Sequence, residues 1–397
     1  MLIKELELKR HITHVVRTWR DKRYGRLRLE ALVILIEWQY EELGSTLNEA
    51  LRDDDNQLVA FTLDYLSRFG YPETVGTLIA LLENGPASIW VNVIKALVSS
   101  GAQSACIDIF KLAQKHLFNK PFKDFQHWYE RADKVFAKHP DRAEYEEFTR
   151  LELNRQALGQ LCGTIISALG DLDCKECLDW LRQILEEPMS LGFESNDYAE
   201  LDNIHSDYYG FFERTCTAMS ITGVGDPRIT QLFVKKLPTS PIDFQFCIIR
   251  TLGDLGDMSA VANLLPFIER VRDDLYDVTV SALSKLRSPE AFDKLAEHYL
   301  SDPVDDSGRW TGEALTNIDR ERFESILLKG IDSRADPNAK QAFLQALLPV
   351  APAKSIDTLR PLLNDKVLSY WVEWILSNLG VEGARVQIQN DGDEIES

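Results

Sequence analysis

The sequence predicts an all-α protein, an α-solenoid (superhelix) of about ten two-helix repeats broken by two insertions. Three observations predict it. A motif recurs along the chain: Ala-Leu-x-x-Leu, a turn holding Gly, Asp or Pro, then an apolar helix. The copies keep a period near 31 residues. No useful length of chain alternates apolar and polar residues as a half-buried strand would.

The three clearest copies are consecutive and start at Met219, Thr251 and Ala282. Weaker ones start at Tyr65, Ala96, Ala168, Ala314 and Ala346, and a degenerate one at Ile375. Aligned on the last residue before the turn, the copies fall at Trp38, Phe69, Ser100, Leu172, Val224, Leu255, Leu286, Ile318, Val350 and Leu379. Successive spacings are 31, 31, 72, 52, 31, 31, 32, 32 and 29 residues, a register that unrelated amphipathic helices would not keep. In such an array each unit packs only on its neighbours, so 397 residues need no single large core.

Each repeat reads as two helices around a turn. Asp226-Pro227 and Ser288-Pro289 put a capping oxygen just before a proline at the first helical position, where its missing N–H costs nothing. Gly70, Gly225 and Gly256 supply backbone freedom for the turn. Beyond it, Ile229, Leu232, Phe233 and Leu237 follow the 3.6-residue period, as do Val261, Leu264, Leu265 and Ile268. The run Ala31–Ile36 is too short for a membrane span and reads as a core helix.

The Leu-Gly-Asp and Gly-Asp-Pro turns make residues 30–385 resemble the HEAT-repeat family, in particular the short-repeat branch that includes phycobiliprotein (bilin) lyases and related bacterial proteins. The resemblance implies architecture more than function, because that family holds scaffolds, chaperones, lyases and a few enzymes. No lyase residue carries over.

The expected organisation runs in seven segments. Residues 1–30 form a basic capping helix and 31–113 a first block of repeats. An aromatic helical insertion spans 114–155, with helices expected at 123–138 and from 141. One repeat follows at 156–186, then an acidic and aromatic loop insertion at 187–210. A second block of repeats covers 211–388, and 389–397 is an acidic, disordered tail.

Charge narrows the partner classes. The net charge is −19, which repels a phosphate backbone. Residues 1–30 are the exception, with nine Lys or Arg against four acids; the remainder carries 35 against 59. The cluster Arg17, Arg20, Lys22, Arg23, Arg26 and Arg28 is either an anion-binding patch or the solvated face of a capping helix. The charged start of the chain does not resemble a signal peptide, so the expected location is the cytoplasm.

Insertions in repeat proteins map to loops on one face, often the binding face. The candidate partner-binding residues are therefore Phe122, Phe125, Trp128 and Tyr129 in the first insertion, and Tyr198, Asp202, Tyr208 and Tyr209 in the second. The alternative is that they pack on their own repeat and patch a bend.

Catalytic, cofactor and metal sites are expected to be absent. Cys174-x-x-Cys177 is half a metal or redox motif with no second Cys or His pair beside it, so its thiols read as core packing. His11 and His14 share a helix face but have no visible third ligand. No Gly-rich phosphate loop, nucleophile elbow or His-Glu pair occurs. The six cysteines are expected as reduced thiols on helix faces.

The functional expectation is a monomeric scaffold, adaptor or chaperone, binding another protein through its concave face and inserts. A basic partner such as a toxin or effector would suit the acidic surface. Two other readings stand beside it: a bilin-lyase-like chromophore-attachment protein, implied by the resemblance, and a nucleic-acid binder using the N-terminal cluster.

Overall fold

The structure is a computed structural model. It describes residues 2–116, 157, 159–186, 202–269, 275–301, 306–333, 337–349, 351, 353–365 and 367–381. All regular structure among them is helical. The chain divides into two compact units, Met1–Gly223 and Val224–Ser397. In each, neighbouring helices pack on one another in chain order, the arrangement of an α-solenoid.

The first unit holds α1 (Leu2–Arg20), α2 (Leu27–Glu37), α3 (Leu43–Leu51), α4 (Asn56–Phe69), α5 (Val75–Asn84), α6 (Trp90–Ser99) and α7 (Cys106–His116). After them come α8 (159–171), α9 (Leu178–Glu186) and α10 (Asp202–Thr222). First helices of successive repeats lie side by side, α4 on α6, and second helices likewise, α3 on α5 and α5 on α7. This two-layer packing follows from the apolar stripes. Leu58, Leu63 and Leu66 of α4, and Val93, Ile94 and Leu97 of α6, are fully buried.

The second unit holds α11 (Pro227–Lys236), α12 (Ile242–Leu255), α13 (Val261–Ile268), α14 (Tyr276–Leu286) and α15 (Pro289–Ser301). It continues through α16 (Asp306–Ile318), α17 (Arg320–Ser333), α18 (Pro337–Leu347), α19 (Ile356–Leu359) and α20 (Ser369–Asn378). Helix α14 packs between α12 and α16, while α15 contacts α13 and α17 in the other layer. Ile229, Phe233, Leu237, Val261, Leu264 and Ile268 are buried as the periodicity requires; Leu265 is half-buried.

The turns behave as their residues dictate. Asp226 caps α11 by accepting from the Arg228 N–H at 3.0 Å, with Pro227 at the first helical position. The Ser288 hydroxyl accepts weakly from the Ala291 N–H at 3.4 Å. Gly225 and Gly256 adopt φ of 82° and 70°.

The Leu-Gly-Asp motif also has a packing reason. A Cβ on Gly253 would sit 2.6 Å from Ala282 Cα, and one on Gly170 2.7 Å from Ala218 Cα. Glycine thus lets a first helix touch the backbone of the next one. Gly253→Ala is expected to destabilise by about 1–2 kcal/mol, because overpacking costs about 1–3 kcal/mol against a helix-propensity gain of about 1 kcal/mol. Gly210→Ala, where a Cβ meets nothing within 4 Å, is expected to stabilise by up to about 1 kcal/mol. Urea denaturation of both variants checks the opposite signs.

Two expectations on organisation change. Residues 202–210 were expected in a loop, yet they open α10. Asp202, Asn203, Ser206 and Asp207 carry the turn-like composition, but acidic and small polar residues are also favoured in the first turns of a helix. The expected start of the second block, residue 211, lies inside this helix. The insertion helices expected at 123–138 and from 141, and the tail at 389–397, lie outside the described residues.

Candidate functional site

Of the eight candidate partner-binding residues, Phe122, Phe125, Trp128, Tyr129 and Tyr198 lie outside the described residues. Asp202, Tyr208 and Tyr209 lie on the backbone of α10.

The N-terminal basic cluster is largely neutralised within its own unit. The Arg28 guanidinium is buried, donating to both Asp53 carboxylate oxygens at 3.2 and 2.5 Å and to the Trp19 carbonyl at 3.0 Å. Arg20 pairs with Glu42 at 3.5 Å, Lys22 with Asp54 at 2.9 Å and Arg23 with Asp21 at 2.6 Å. The Arg23 hydrogen bonds hold the Asp21 carboxyl down at about 2. Arg17 and Arg26 are exposed. His11 and His14 are also exposed, on α1.

The Cys174-x-x-Cys177 pair is buried, and folding brings a distant thiol and a carboxylate to Cys174. Cys106 Sγ, Cys174 Sγ and a Glu176 carboxylate oxygen all lie within 4.8 Å of one another. The Cys174 thiol donates to Glu176 Oε2 at 3.6 Å. The Cys177 thiol donates to the Cys174 carbonyl at 3.0 Å. Cys106 opens α7, and Cys174 caps the short turn Lys175–Cys177 that leads into α9. Burial pushes the Cys106 thiol up to about 12, with the neighbouring Cys174 and Glu176 adding to the rise. Among the described residues these make the one convergent group of three possible metal-ligand atoms.

The second unit carries a different feature. Phe246, Trp310 and Tyr370 lie nine, eight and nine residues before the aligned turn positions Leu255, Ile318 and Leu379. All three are exposed, Trp310 at 52% and Tyr370 at 61%. Exposed Trp374 sits one turn beyond Tyr370 and stacks on Trp371 at a centroid distance of 5.9 Å. Each of these residues is on the first helix of its repeat, α12, α16 or α20.

The chain matches no protein-family model, and no curated protein matches it.

A groove of about 480 Å³ in the second unit is bordered by Lys329, Asp332, Lys340 and Asp357, whose charges offset one another. No helix among the described residues is long and apolar enough to cross a membrane.

Sequence reading passed over the exposed aromatics because it looked to the insertions. Phe246, Trp310 and Tyr370 stand on first helices, eight or nine residues before the turn. It passed over Cys106 because 68 residues separate it from Cys174. The repeat register held the clue there too: counted from Ser100 and Leu172, Cys106 and Cys177 lie six and five residues past equivalent points.

Proposed function

We propose that this protein is a HEAT-type binding scaffold of the cytoplasm whose partner is a basic protein. The observation that carries the reading is the set of exposed aromatic side chains on the first helices, Phe246, Trp310, Tyr370 and Trp374, on a chain of net charge −19. Large aromatics anchor interfaces because they bury much area at little conformational cost, and charge complementarity steers the partner in. The surface is built on helices whose opposite faces are locked in the core, so the anchors are held at fixed spacing.

The test is cross-linked capture from source cells, comparing wild type with Trp310→Ala/Tyr370→Ala/Trp374→Ala. Exposed positions leave the fold intact. The expected result is a specific partner of high isoelectric point, bound at least tenfold more weakly by the triple variant and released by raised salt. Equal capture by the triple variant rejects the surface, and an acidic, salt-insensitive partner rejects the charge argument.

A further inference from the structure

We propose that Cys106, Cys174 and Glu176 form a binding site for a zinc-class divalent cation, clamping the repeat of α7 to that of α9 within the first unit. The inference is independent of the partner reading. Three donor atoms from two chain segments already converge: two sulfurs and a carboxylate oxygen within 4.8 Å. The spacing suits a tetrahedral ion. With Zn–S near 2.3 Å and Zn–O near 2.1 Å, ligand sulfur and oxygen stand about 3.6 Å apart and two sulfurs about 3.8 Å apart. The observed Cys174 Sγ to Glu176 Oε2 distance is 3.6 Å. A water completes the fourth position, as at zinc sites with three protein ligands.

The local backbone favours this use. Cys106 stands at the opening of a second helix, and a helix start stabilises a negative ligand. The two repeats lie on either side of residues 117–156, where the period is broken. A redox role fits less well. Reactive thiols sit in exposed, electropositive surroundings, whereas these are buried beside a carboxylate, and the ammonium of Lys175 is engaged by Asp173 and the Thr222 carbonyl. On binding, each thiol gives its proton to solvent. Two thiolates and one carboxylate then surround one dication.

The experiment measures metal in untagged full-length protein grown with zinc, beside Glu176→Gln, Cys106→Ser and Cys247→Ala. About one zinc per chain is expected in wild type and Cys247→Ala, and cobalt exchange should give a tetrahedral thiolate spectrum. Because Glu176 is exposed, Glu176→Gln keeps the packing; it should hold zinc at least tenfold more weakly. Cys106→Ser should lose the cobalt spectrum. Wild type without zinc or cobalt bands overturns the site. So does a Cys106–Cys174 disulfide in freshly isolated protein, or unchanged zinc affinity in Glu176→Gln.

Discussion

Arg28→Met is expected to cost the fold about 3–5 kcal/mol, the penalty for leaving a buried charge unpaired. Arg28 and Asp53 have side chains only 8% and 9% exposed. The guanidinium spans three elements: it donates twice to Asp53, once to the Trp19 carbonyl at the end of α1, and lies 5.2 Å from the Trp19 ring centroid. Removing it strands the Asp53 carboxylate and releases α1. The pair itself adds little net stability over a well-packed apolar pair, because desolvation offsets attraction. Arg28→Met/Asp53→Leu should therefore recover most of the loss.

The same pair sets an acid limit. The Arg28 hydrogen bonds hold the Asp53 carboxyl below its ordinary value. A depressed carboxyl contributes stability that is complete above the unfolded value, about 3.9, and is lost as pH falls through the folded one. Urea midpoints from pH 7 to pH 3 should fall for wild type and fall less for Asp53→Asn. Equal acid sensitivity in the two would remove Asp53 from this role.

Gly70→Ala is expected to destabilise the first unit by about 3 kcal/mol or more, for two reasons that add. Gly70 has φ 63° and ψ 160°, a region open essentially only to glycine. A Cβ there would fall 2.0 Å from the Ser99 carbonyl oxygen. Neither atom can move cheaply, because the two repeats are stitched at this corner. The Ser99 hydroxyl donates to the Ser67 carbonyl at 2.7 Å, and the Tyr71 N–H donates to the Ser100 hydroxyl at 2.8 Å. Gly101→Ala is the comparison: it shares the φ of 63° but has open space at the Cβ, so it should lose less. Thermal denaturation of both, with hydrogen exchange on α4 and α6, checks the difference. Equal losses would show that the Ser99 contact contributes nothing.

Fold class was legible because the repeat carries it redundantly. Caps such as Asp226, turn glycines such as Gly256 and stripes such as Ile229–Phe233 all signal the same two-helix unit, and the structure keeps each. What was not legible depends on side chains brought together from distant sequence. Arg28 reads as one more residue of a solvated basic run; only folding shows that Asp53 claims it. Cys106 reads as an isolated thiol until the repeats on either side of the long spacing stack its helix start against that of Cys174. The loop reading of 202–210 failed because Asp, Asn and Ser are as common in the first turn of a helix as in a coil.

Hydrogen exchange on the isolated complex tests the central claim, a binding surface on the first helices of the second unit, most directly. Slowed exchange is expected along Ile242–Leu255, Asp306–Ile318 and Ser369–Asn378, the helices that carry the exposed aromatics. Protection confined to second helices such as Pro289–Ser301, or to the first unit, would contradict it.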